Sequence, residues 1–123
     1  MWQGVIIEES LKDKSLLSLV EIIKSTKSTL ESESDKGIFH FHSYQLPDEK
    51  FAEFTQAAKK TTKPGFYLHL VQADTLVVVL SGQIFTAYRG NMTQFKAIRD
   101  YAIKMGIHSD QLPLEHLLDH PLD

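Results

Sequence analysis

Cysteine is absent from the 123 residues. That excludes disulfides, cysteine-based zinc sites and thiol nucleophiles together, and it fits a reducing compartment. Arginine is scarce. Only Arg89 and Arg99 could grip a phosphate or carboxylate with a two-armed guanidinium, and both read as surface residues. No apolar run approaches the roughly 20 residues needed to cross a bilayer. The opening stretch "MWQGVIIEES" has neither the basic start nor the long apolar segment of a secretory leader. The expectation is a soluble, cytoplasmic protein with no membrane partner. Glycine-rich phosphate loops are missing, as is a G-x-S-x-G nucleophile turn. Positive charge is not in excess either. The net charge of −3 argues against nucleic acid, whose binders carry a basic footprint. Lys59, Lys60 and Lys63 do gather, but they fall at the expected end of a helix, where cations suit the dipole.

What is present is ordinary for a globular chain: 42% hydrophobic and 24% charged residues. At this length a single domain can bury a real core without staples. Residues 3–9, "QGVIIEE", read as a first strand. Asp13 is placed to cap a short helix carrying Leu16, Leu17 and Leu19. Residues 20–30 fit either strand or helix. Their Val, Ile and Thr content favours a strand with Val20, Ile22, Lys24, Thr26 and Ser28 on one face. "SESDKG" then reads as a hairpin loop leading to a partner strand at 37–45.

The clearest helix follows. Asp48 is placed to cap it, Phe51, Phe54 and Ala58 form its buried stripe, and Pro64-Gly65 would stop it. A three-strand meander comes next, with turns at Ala73-Asp74 and Ser81-Gly82. "TLVVVL" in its middle is apolar without alternation, as a strand covered on both faces or central in the sheet would be. A last amphipathic helix is expected over about 92–105, with Asn91 before it, Gly106 after it, and Phe95, Ile98, Ala102 and Met105 facing inward. The leucine-rich tail, residues 108–123, should pack on the body or on a second subunit. The order predicts a single α+β domain: a ferredoxin-like split βαβ core with an additional C-terminal β-hairpin and helix. One face of its sheet would lie under helices, and the other would be solvated or buried in a homodimer.

The block "KPGFYLHLVQADTLVVVLSGQIF", followed by "YAIKMGIHSDQL", resembles the C-terminal half of a group of small, uncharacterised prokaryotic α+β proteins. They share a Pro-Gly-aromatic-Tyr-x-His strand, an apolar hairpin and a helix closing in Gly-Ile. The resemblance covers roughly residues 63–112. It implies fold and a prokaryotic origin, and it carries no activity. Within it His69 is the one polar position that could be more than structural.

Chemistry centres on "KGIFHFHSY". On a strand, positions i and i+2 share a face, so His40 and His42 stand together with Tyr44, and Phe39 and Phe41 turn the other way. His69 stands with Tyr67 on a later strand. Two histidines from one strand and a third from a neighbour can hold a zinc or another divalent metal with one open position. This requires strands 37–45 and 66–72 to be neighbours, whereas a split βαβ crossover more often leaves another strand between them. His40, His42 and His69 are the candidate ligands. The plainer reading has the phenylalanines facing the helices and the histidines and tyrosines lining the uncovered side of the sheet. No Glu or Asp is spaced as an obvious general base, and Glu8 and Glu9 on the first strand are the remaining candidates.

Two further patterns fall short of the signatures they approach. "HLLDH", residues 116–120, approaches an inverted zincin signature. Pro121 follows at once, however, and no downstream ligand remains. Lys36-Gly37 opens a third strand as in RNA-recognition domains, but Ile38 and His40 occupy the stacking positions. The expectation is therefore a non-catalytic module whose semi-polar face of His40, His42, Tyr44, Tyr67 and His69 binds a protein or small-molecule partner. The alternative is a metal-dependent hydrolase or lyase using His40, His42 and His69.

Overall fold

Among the described residues six strands hydrogen-bond into one antiparallel sheet, in which the second, third and first in chain order lie side by side, followed by the fourth, fifth and sixth. The computed structural model describes residues 1–28 and 38–122. The strands are β1 (Trp2–Ile7), β2 (Glu21–Ser28), β3 (Phe39–Leu46), β4 (Tyr67–Gln72), β5 (Thr75–Leu80) and β6 (Gln83–Tyr88). Among the described residues three α-helices accompany them: α1 (Phe51–Thr61), α2 (Met92–Lys104) and α3 (Leu114–Asp119). The hairpin loop expected over "SESDKG" lies outside the described residues.

Most local expectations hold, with physical reasons for the departures. Asp13 does cap the segment after it, accepting from the Ser15 amide at 2.9 Å, but Lys14–Leu19 is a 3-10 helix. Of the ambiguous residues 20–30, Glu21–Ser28 form a strand, β2. Its register shifts between Ile22 and Lys24. The bulge breaks the single face expected for Ile22, Lys24 and Thr26, because one extra residue reverses the alternation beyond it. Asp48 does not cap α1. It sits in a 3-10 turn, Asp48–Lys50, and pairs with the Met1 amino group at 2.9 Å and the Gln72 amide at 2.7 Å. Helix α1 stops at Thr61, before Pro64-Gly65. Lys63 precedes a proline and resists the helical conformation, and its amide donates to the Ser10 carbonyl instead. Asn91 caps α2 through the Gln94 amide at 3.1 Å. Gly106, at φ +94°, closes α2 with a left-handed residue, and its amide and that of Ile107 satisfy the last carbonyls. This turn leaves Met105 outside and carries Ile107 in.

The sheet separates two cores. On one face Ile6, Tyr44, Leu46, Leu68, Leu70, Val77 and Val79 pack against Phe54 and Ala58 of α1 and Leu16 of the 3-10 helix. On the other, Val71, Leu76, Val78 and Leu80 pack against Phe95, Ile98 and Ala102 of α2 and Leu114, Leu117 and Leu118 of α3. Each fully buried Leu, Ile or Phe contributes about 1.5–3 kcal/mol from apolar surface removed from water. Strand β5 feeds both cores, which explains why "TLVVVL" lacks alternation. The C-terminal tail packs on the body of its own chain.

These two cores correct the picture of a sheet with one uncovered face. Helices lie on both sides over β4 and β5. Cover is thinner on the α2/α3 side of β1 and β3, where Val5, Ile7 and Phe41 are half-buried, and along the edge strand β2, where Ile22 and Ile23 are exposed. Among the described residues no helix is long and apolar enough to cross a membrane.

Candidate functional site

The register of the central strands decides where each histidine goes. Ile6 pairs with His42 and Gly4 with Tyr44, so His40, His42 and Tyr44 lie on the α1 face. Gln3 pairs with Val71, and His69 pairs with Val78 of the opposite core. His69 and Tyr67 therefore lie on the α2/α3 face, and β1 runs between β3 and β4. The five residues expected on one semi-polar face are divided between two. The divergence also removes the three-histidine metal site: His40 and His42 are separated from His69 by the sheet itself.

On the α1 face the two histidines meet acids. β1 ends at Ile7 and turns into a short 3-10 segment, Glu8–Ser10, which aims both glutamates at the start of β3. Glu9 takes the His40 backbone amide on Oε1 at 2.7 Å and the His40 ring Nδ1 on Oε2 at 2.6 Å. Glu8 takes His42 Nε2 on Oε1 at 3.0 Å and Lys14 Nζ on Oε2 at 3.3 Å. Ser25, brought opposite His42 by the bulge in β2, contacts its Nδ1 at 2.7 Å. With Nε2–H donating to Glu8, the Ser25 hydroxyl donates to Nδ1. The chain Ser25–His42–Glu8 thus holds one imidazole from both ends. The hydrogen bond from His42, then that from Lys14, keeps the Glu8 carboxyl below the usual carboxylate range. Burial pushes Glu9 up, but the His40 amide and ring outweigh it and the carboxyl is net lowered. Both are ionised acceptors at neutral pH.

On the opposite face, a cleft of about 240 Å³ opens between the sheet and the C-terminal segment. Val5, Ile7, Phe41, Phe66 and Leu117 supply apolar walls, and Tyr67, His69, Asp110 and Gln111 bring polar groups. His69 is 4% exposed. Its Nε2 lies 2.7 Å from the Pro121 carbonyl, which can only accept, so the proton sits there and Nδ1 is left as an acceptor. Burial drives the ring's pKa down to about 4, against a smaller upward pull from the Pro121 carbonyl. The Tyr67 hydroxyl donates to the Gln111 carbonyl, tying the tail to β4. Burial raises that phenol to about 12, so it stays neutral.

Tyr44 ties β3 to β4 past Gly4 of β1. Its ring is fully buried among α1 residues, and its hydroxyl crosses over Gly4 to donate to the His69 carbonyl at 2.7 Å. A Cβ at Gly4 would stand 2.0 Å from that carbonyl oxygen and 2.8 Å from the Tyr44 hydroxyl. Only glycine admits this approach. Tyr44 is thus a structural residue and lines neither candidate site.

His116 and His120 do share a face at the end of α3, with rings stacked 4.5 Å apart. Arg89 bridges Asp74 and Asp119, and Arg99 pairs with Glu115, so both arginines fasten the C-terminal segment. Sequence reasoning missed the role of Ser25 and the cleft walls Val5, Phe41 and Phe66. The usable signal was the Glu-Glu pair just past a strand whose antiparallel partner begins with His-x-His. Comparison with known proteins finds no matching family, no matching curated protein and no matching solved structure.

Proposed function

We propose that this protein is a non-catalytic small-ligand-binding module, and that the ligand occupies the cleft between the β1/β3/β4 face and the C-terminal segment. The observation that carries the reading is His69: a buried, neutral imidazole in a mainly apolar cleft, with one nitrogen committed to Pro121 and the other an acceptor. Ligand sites characteristically combine apolar walls with a few polar groups that set orientation. At about 240 Å³ the cleft lies below the roughly 300–1,000 Å³ of drug-sized pockets. The fitting occupant is a small apolar molecule bearing a hydroxyl or amide donor for His69.

The cleft is complete within one chain, so this reading needs no second copy. The homodimer expected from an uncovered sheet has lost that face over β4 and β5. The reading also takes the first four strands as ferredoxin-like, supported by their order 2-3-1-4 and by α1 crossing between β3 and β4. The 3-10 helix between β1 and β2 stands in the place of the first helix. The likeness of residues 63–112 to small prokaryotic proteins belongs to the same proposal.

Fragment screening by two-dimensional amide NMR tests it. Donor-bearing aromatic or cyclic aliphatic fragments are expected to shift Val5, Phe41, Phe66, His69 and Leu117 together. Val5→Phe, which fills the cleft, should weaken such binding at least tenfold. A library without hits, or shifts centred elsewhere, sinks the reading.

A further inference from the structure

Glu8, Glu9 and His40 each offer one ligand atom, and these atoms all lie within 4.8 Å of one another. We propose that this cluster is a binding site for a divalent transition metal of the zinc class, independent of the cleft, with His42 orienting Glu8. Zinc bonds of about 2.0–2.2 Å set tetrahedral ligand atoms about 3.4 Å apart. The present separations therefore need only small side-chain adjustments. The closest pair, His40 Nδ1 and Glu9 Oε2 at 2.6 Å, is now held by a proton; the metal takes that proton's place and the pair opens slightly.

Three features of the surroundings point the same way. The first is chemical: two carboxylates and an imidazole suit zinc, whereas magnesium and calcium favour all-oxygen sets. Positioning is the second. The His40 backbone amide fixes Glu9 through Oε1 and leaves Oε2 turned to the imidazole. His42, held by Ser25, fixes Glu8, the kind of outer hydrogen bond that orients a ligating carboxylate. The third is electrostatic. Glu8 and Glu9 are ionised neighbours, and among the described residues the lysine paired with them, Lys14, is 60% exposed with a 3.3 Å contact that a cation would displace. His40 is 49% exposed, so a fourth position opens to solvent for water or an exogenous ligand.

Isothermal titration calorimetry of the untagged full chain with zinc chloride is the test. The expected result is one zinc per chain, with affinity falling at least tenfold in His40→Ala and in Glu9→Gln. His69→Gln and the double variant His116→Ala/His120→Ala should leave it unchanged. Circular dichroism confirms that each variant is folded. If His40→Ala unfolds, Glu9→Gln decides, because its amide oxygen still accepts from the His40 backbone. Zinc binding absent from the wild type, binding that survives Glu9→Gln, loss on removing His116 and His120, or equal affinity for magnesium would each overturn the proposal.

Discussion

Gly4 is the residue on which the centre of the sheet turns. Its missing side chain lets the Tyr44 hydroxyl reach the His69 carbonyl. Gly4→Ala forces a methyl against a backbone oxygen, and backbone cannot yield as a flexible side chain does. The expected loss is about 3 kcal/mol, at the upper end for overpacking, read as a fall in the urea midpoint. His69 carries a pH prediction. Its folded pKa is about 4 and its ordinary value 6.5. Between those values the unfolded chain takes a proton that the folded chain refuses, so stability falls as pH falls below 6.5. Tyr67 stays neutral throughout, and Asp110 is the acid lining the same cleft. The linkage amounts to about 2 kcal/mol at pH 5 relative to pH 7. Urea melts of wild type and His69→Gln at both pH values check it: the variant's loss should be smaller by about that amount, and equal losses would refute it.

At the scale of elements, α2 is bounded by local chemistry at both ends. The Asn91 side chain satisfies the Gln94 amide, and Gly106 turns the chain out in a left-handed conformation. Asn91→Ala leaves that amide without its cap and should cost about 1 kcal/mol, measured as a lower urea midpoint with unchanged slope. Such boundaries were legible because a cap and a terminating glycine act within a few residues. The capping role expected of Asp48 failed for the opposite reason. Met1 and Gln72, both distant in sequence, approach its carboxylate. The β2 bulge was equally invisible, since one extra residue leaves no mark in composition, yet it is what sets Ser25 against His42.

Over the whole molecule, the C-terminal segment closes the second core. Leu114, Leu117 and Leu118 are buried with Val71 and Val78, Arg89 and Arg99 fasten it, and Pro121 holds His69. Removing residues 114–123 uncovers that face and releases His69. The truncated chain is expected to bind a hydrophobic dye and to lose at least about 5 kcal/mol, more than the 2–5 kcal/mol of one buried leucine reduced to alanine. Calorimetric melting checks this, and a melt within a few degrees of the full chain would show that the segment is not part of the core.

The sequence by itself marked most of the elements. Strands, helices and turns follow from periodicity and turn chemistry that act over a few residues, and the doubly apolar β5 announced its cover on both faces. It also paired His40 with His42, because alternation is a property of any strand. Only the tertiary structure decided which face they share and with whom. Alternation defines two faces without saying which lies under α1, and the register of β1 against β3 and β4 is a long-range choice. That choice sends His40 and His42 to Glu8 and Glu9, sends His69 to the far side with Pro121, and so makes two separate sites from residues that strand spacing alone had gathered into one.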